Sequence, residues 1–318
     1  MANTATTLLN QAKVRAGWPT SGGYLSDAEV LSLADDEMLT TMAALLRRAR
    51  EEFWVTQAPD VPVSASSPDV RVPSRALGSA LRDVLVVSGG NVWNAPEIAP
   101  EEAFRYRSAA DGSWRSPFAF YCEGSYLKLL PTPTNGNYSI RLKYYRRPSE
   151  LIEGSTTAGS VTTWRVGEIA SIADNVVTLK DDIPASFTTD EAYDIVDGLS
   201  PHDSASDDLS LSSFDTVAKT MTFSDSMASR VKKGDYVTLS GESPVVQLPD
   251  ALFPLLILAT VRSMHVSSND TASAGLAEQL LARKSAAVLP LIEPRVIGER
   301  PVVINRNSAL RGGGRRGW

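Results

Sequence analysis

A single cysteine, Cys122, stands in 318 residues. It excludes an intramolecular disulfide framework, fits folding in a reducing compartment, and reads as a packed thiol. Histidine is almost as scarce: His202 and His265 are the only two. The patterns HExxH, GxSxG, CxxC and the phosphate-binding P-loop are all missing, so the usual metal and nucleophile constellations cannot be assembled. His265, inside an apolar helical stretch, reads as a packing residue, and His202, in "SPHDSASDD", as part of a solvated loop. Long apolar runs are lacking too. The longest, "ALFPLLILATV" at 251–261, has 11 residues and contains a proline, whereas a membrane span needs about 20. The N-terminal stretch shows no basic cluster followed by an apolar run, so no secretion signal is expected. These absences predict no catalytic residue, no metal, no cofactor and no membrane partner.

What is present is enough apolar residue, 43%, to build real cores, and an uneven distribution of charge. Formal net charge is −6, yet residues 151–247 carry 16 acidic against 6 basic side chains, while from 295 onward six arginines face one glutamate. An acidic middle and a basic end imply different surroundings for the two. Within the middle, Asp190, Asp194, Asp197, Asp203, Asp207 and Asp208 form the densest acidic run. Their spacing does not match a calcium loop of the EF-hand type, which leaves a solvated acidic face. The pairs Asp35–Asp36 and Glu51–Glu52 read as surface charge on a long helix.

That helix is expected over 26–57. It opens with Ser26 and Glu29 at capping-box spacing and places Val30, Ala34, Met38, Met42, Leu45, Ala49 and Phe53 on one face. A shorter helix precedes it, from about Thr4 to Ala16. From Asp69 to Arg147 alternating and β-branched segments are punctuated by Gly, Pro and Asn, with "EGS" at 123–125 as a hairpin turn and "TPTNGN" at 132–137 as a further break. Residues 176–198 align with 220–241, matching Tyr193 to Tyr236 and Gly198 to Gly241, so 154–247 reads as an internal repeat burying one shared core. Helical periodicity returns over 250–266 and from Thr271 to about Leu289, with Asp270 as cap between the two.

The fold class is therefore α+β, a discontinuous helical bundle with a β region and an inserted small β-barrel or sandwich. The expected parts are N-terminal bundle helices at 1–68, a β region at 69–153, the acidic β module at 154–247, a C-terminal helix pair at 248–293 and an extended basic arm at 294–318.

This order of segments resembles the head-to-tail adaptor, or tail-tube gatekeeper, of short-tailed bacteriophages. The matching stretches are "RRAREEFW", "VRVPSRALGSALRDV", "LKLLPTPTNGNYSIRLKYYRRPSEL" and "LPDALFPLLILATVRSM", with "YYRRP" before "SEL" and "LPDALFPLL" the most specific. The resemblance covers roughly 1–150 and 247–318 and implies a homo-oligomeric ring, a dodecamer, beneath the portal protein at the head–tail junction of the virion, assembled in the host cytoplasm. It further implies a downstream tail or nozzle protein as partner, and double-stranded DNA passing through the lumen without sequence-specific binding. An acidic ring suits that passage, because clustered Lys and Arg would grip phosphates.

The resemblance also implies that the C-terminal arm reaches the portal. Here Val302, Val303 and Ile304 can add a strand to an edge, the glycines at 312–314 let the chain turn, and Arg306, Arg311, Arg315, Arg316 and Trp318 supply charge pairing and an apolar anchor. The alternative reading is a tail or baseplate-type receptor-binding protein acting through the β module. That would require exposed aromatics among Trp164, Phe187, Tyr193, Phe214, Phe223 and Tyr236.

Overall fold

The computed structural model describes residues 3–20, 23–64, 67–103, 117–131, 138–153, 165–199, 202–225, 227 and 229–292. Helix α1, Ala5–Arg15, starts where Thr4 Oγ1 accepts a hydrogen bond from the Thr7 N–H at 3.0 Å. Helix α2, Asp27–Glu37, carries the complete Ser26–Glu29 capping box. It passes through one π-helical turn, Met38–Met42, into α3, Ala43–Ala49. After the wider turn Leu46 is the buried leucine and Leu45 packs half-buried against the same core, while Val30, Ala34, Met38, Met42 and Ala49 lie on the expected face.

The expected helix over 26–57 is too long. The α-helical part stops at Ala49, residues 51–54 form a 3₁₀ turn, and Val55–Gln57 is already strand β1. The cause is tertiary: Trp54 Nε1 donates to the Gln247 carbonyl, and Val55 pairs with Tyr145 across the sheet.

At the other end of the chain Phe253–Ser267 is α4 and Thr271–Ile292 is α5, and Asp270 Oδ1 accepts from the Ser273 N–H to cap the second. Buried residues from every one of these helices, among them Leu8, Val30, Met42, Leu256 and Leu281, share one apolar cluster. The helices at either end of the described chain thus build a single core.

Following the first helices among the described residues, a five-stranded and a three-stranded sheet pack together. Strands β1, β2 (Val61–Val63), β4 (Ala76–Ser88), β5 (Asn91–Ala95) and β8 (Tyr138–Arg146) form one. The other contains β3 (Asp69–Arg71), β6 (Ala119–Glu123) and β7 (Tyr126–Leu130). Val84, Val86, Ile140 and Leu142 from the first meet Val70, Phe120, Leu127 and Leu129 from the second. The hairpin at 123–125 is present, and Gly124 takes the left-handed conformation, φ +61°, that its turn requires. The break at 132–137 lies outside the described residues.

Strand β9, Glu150–Leu151, leads into six antiparallel strands: β10 (Val166–Ala173), β11 (Val176–Leu179), β12 (Ala192–Val196), β13 (Ser204–Asp215), β14 (Thr220–Phe223) and β15 (Tyr236–Leu239). They run β10-β11-β14-β13-β12-β15, and β15 pairs back onto β10, so the sheet closes into a barrel. The repeat is visible in its registers. Val176 pairs with Thr222 and Thr178 with Thr220, while Tyr193 pairs with Leu239 and Val196 with Tyr236. Each pair maps onto its mate when the two halves are exchanged, so a local two-fold axis passes between them.

The aligned glycines differ. Gly241 turns at φ +86°, whereas a Cβ on Gly198 would lie 2.0 Å from the Gly234 carbonyl oxygen, so that position needs glycine for close approach of two backbones. The chain leaves through β16, Glu242–Ser243, which pairs in parallel with β9.

Candidate functional site

The expected docking residues, Val302, Val303, Ile304, Arg306, Arg311, Arg315, Arg316 and Trp318, lie outside the described residues, as does the whole arm from 294 onward. Within the described part, charge chemistry concentrates where the barrel meets the rest of the chain. Arg75 sits in the turn before β4, and Arg146 ends β8. Arg75 Nη2 donates to Asp194 Oδ2 at 2.5 Å and to Ser240 Oγ at 2.7 Å, and its Nη1 donates to Asp207 Oδ1 at 3.2 Å. Arg146 lies 3.1 Å from Asp207 and donates to Ser149 Oγ.

Asp194 has no solvent-accessible surface. Its other contacts come from the Asp208 N–H at 3.0 Å and the Gly241 N–H at 2.9 Å. Burial pushes its carboxyl upward, and the Arg75 charge and those two N–H donors oppose that shift. Burial works against the charge on Arg75 as well, but Asp194, Asp208 and Asp207 outweigh it and push its pKa up.

The acidic run is therefore a solvated face only in part: Asp190, Asp203 and Asp208 are exposed, but Asp194 is buried and Asp197 and Asp207 are half-buried. Asp194 and Asp207 receive arginines from outside the barrel, Asp208 accepts from Ser240 Oγ, and Asp197 pairs with Lys232 at 3.1 Å. Among the described residues no group of three His, Cys, Asp or Glu is arranged to hold a metal.

Two further expectations need correction. His202 is buried rather than solvated, at φ +57°, with Nδ1 3.1 Å from the Asp197 carbonyl, and burial lowers its pKa. Asp35 is not ordinary surface charge, since it accepts the Leu151 N–H at 2.9 Å beside β9. Burial, reinforced by the negative charges of Glu150 and Asp36, raises its pKa to about 7. Glu242, opposite Glu150 across the β9–β16 pair, is pushed up by burial while Arg165, 2.6 Å away, opposes. His265 is buried within α4, and Asp270 lies 3.6 Å from its ring. Burial also raises the pKa of the half-buried Cys122 thiol.

Inside the barrel Phe187, Tyr193 and Phe223 pack edge to face in the core, while Phe214 is exposed. A second surface feature belongs to α5, where Leu276, Leu280 and Leu291 are all exposed on one stripe.

The family model described as SU10 adaptor protein matches residues 3–177, more than half of the chain, running from the first helix into the first hairpin of the barrel. No curated protein matches the chain.

Proposed function

Because the chain belongs to the SU10 adaptor protein family, we propose that it is a structural virion protein that joins the capsid of a bacteriophage to its tail. Copies assemble into a ring, a dodecamer by resemblance. The ring docks beneath the portal through the arm at 294–318, receives the next tail protein on its opposite side, and lets double-stranded DNA pass through its lumen. The family match carries this reading. In the same proposal the chain divides into the five parts read from its sequence, with the core-sharing helices and paired sheets building the ring and the acidic barrel carried on that frame. No enzymatic role belongs to it.

The α5 stripe supports assembly, since Leu276, Leu280 and Leu291 leave apolar surface for a neighbouring copy to cover. Net negative charge supports passage of DNA without retention. No helix among the described residues is long and apolar enough to cross a membrane. The receptor-binding alternative gains little, because the barrel's described aromatics lie mostly in its core.

Electron microscopy of the purified protein mixed with a portal tests the proposal. A ring stacked coaxially on the portal ring is expected. A monomer that leaves the portal bare would defeat it.

A further inference from the structure

Two irregular stretches of backbone line one open groove of about 570 Å³. Leu39 of the π-helical turn and Ala44 of α3 stand on one side of it, and Leu77 and Gly78 of β4 on the other. In β4 the ladder with β8 passes from Ala76–Arg146 straight to Leu81–Tyr144, so residues 77–80 stand opposite Tyr145 alone. Gly78 and Ser79 both take left-handed conformations there, φ +57° and +58°. For Ser79 that conformation is strained, and strain of this kind, like a π-helical turn or a bulge, collects where a protein binds something. The exposed Arg47 and Arg48 border the groove, and none of the described residues that line it is acidic. It suits an apolar group accompanied by negative charge.

The end of the β13–β14 hairpin has that make-up. Val217 is 91% exposed and Phe214 39% exposed, with Asp215 between them in the sequence. The local two-fold axis supplies a comparison, because the matching β10–β11 hairpin closes on the polar pair Asp174–Asn175. The longer turn after β13 is fixed in place: Asp215 Oδ1 accepts from the Val217 and Ala218 N–H groups at 2.8 and 3.1 Å, and Lys219 pairs with Asp182 at 2.9 Å. A preformed tip that presents a valine gives up little conformational freedom on docking. Val217 is too exposed to lie in the groove of its own chain, so the contact joins two molecules. The exposed leucines of α5 are poorer occupants, since Arg283 and Lys284 on that helix would bring like charge to Arg47 and Arg48. We infer that the β13–β14 hairpin of one copy docks in the α3–β4 groove of a second copy, with Phe214 and Val217 covering its apolar walls and Asp215 beside Arg47 and Arg48. Such a contact pairs unlike surfaces, which repeated head to tail can close into a ring. The inference rests on the ring reading and names surfaces that build the ring.

Sedimentation velocity of the full chain and cross-linking of paired variants test it. Val217→Ser changes only an exposed side chain, so the protein should melt as the parent does while its copies associate about tenfold more weakly. Ala44→Glu, at an exposed position of α3, should weaken association as much by placing a longer side chain in the groove. Asp215→Asn keeps an oxygen for the two turn N–H groups and removes the charge, so its loss of association should be largest at low salt. In a Cys122→Ser background, Ala44→Cys and Val217→Cys chains that are co-expressed should form disulfide-linked dimers on mild oxidation, and neither chain alone should. The contact is refuted if Val217→Ser associates as the parent does, or if no mixed dimer forms. If Ala44→Glu alone weakens association, another segment occupies the groove and the hairpin is refuted. A parent that forms rings without the mixed dimer leaves the ring reading standing and removes this contact, whereas a mixed dimer from a chain that closes no ring keeps the contact and removes the ring.

Discussion

Arg75 and Asp194, 119 residues apart in sequence, meet at 2.5 Å, with the arginine outside the barrel and the aspartate fully buried on one of its strands. Removing the arginine would leave a buried carboxylate without its counter-charge. Arg75→Ala should therefore cost about 3–5 kcal/mol, read as a lowered melting temperature together with faster proteolysis at the barrel's attachment. A loss near zero would mean that the seam is solvated.

Asp35 gives a pH dependence. Its folded pKa of about 7 lies above the ordinary 3.8, so the folded chain keeps a proton that the unfolded chain releases. Its contribution is intact below about pH 4 and is lost as pH rises to 7, by on the order of 2–4 kcal/mol. Asp35→Asn keeps an acceptor for the Leu151 N–H, so it should stabilise the protein at pH 8, change little at pH 4, and flatten the slope between. Denaturant melts at the two pH values measure this.

The shared helical core should not tolerate charge. Val30, Met42 and Leu256 are fully buried in it. An aspartate at any of the three would be an unpaired buried charge costing several kcal/mol, and each variant should fail to assemble. An unchanged melting temperature would show that the wrong face is assigned.

Residues 154–246, expressed alone, should give a cooperative thermal transition, because the barrel closes on itself and carries its own apolar cluster. The midpoint should lie below that of the barrel in the full chain, since Asp194 no longer receives Arg75. A fragment with no cooperative transition would count against an autonomous module.

Deleting 305–318 should leave folding unchanged and abolish portal binding, as judged by co-sedimentation and by leakage of DNA from heads. Replacing Arg306, Arg311, Arg315 and Arg316 should weaken binding in a salt-dependent manner, whereas Trp318→Ala should weaken it with little dependence on salt. Infectious, DNA-retaining particles from the truncated protein would reduce the arm to a solvated tail.

The barrel's internal symmetry could be read from the sequence because "VVTL" and "TMTF" carry the same alternation. Val177 and Met221 point inward at equivalent places and pair with each other. Caps were equally legible, since Ser26, Glu29 and Asp270 act within three residues of themselves. The end of the long helix was not. Phe53 continues the apolar spacing, no Gly or Pro interrupts it, and the tie that stops it comes from Gln247, 193 residues away. Arg75 and Arg146 stood inside the quoted stretches "VRVPSRALG" and "YYRRP", but nothing local distinguishes an arginine that will meet a buried acid from one that will meet water. The acid-rich run offered the complementary half of that signal, but Asp194, between the core residues Tyr193 and Ile195, faces out of the barrel and is buried only where Arg75 covers it.

Strands β9 and β16 bring the two ends of the barrel segment side by side, with Leu151 opposite Ser243. The two run parallel, so the chain enters and leaves the barrel segment in the same direction, and the segment between them acts as one long crossover connection. Any segment exchanged for the barrel would have to make the same crossover and leave alongside the strand by which it entered.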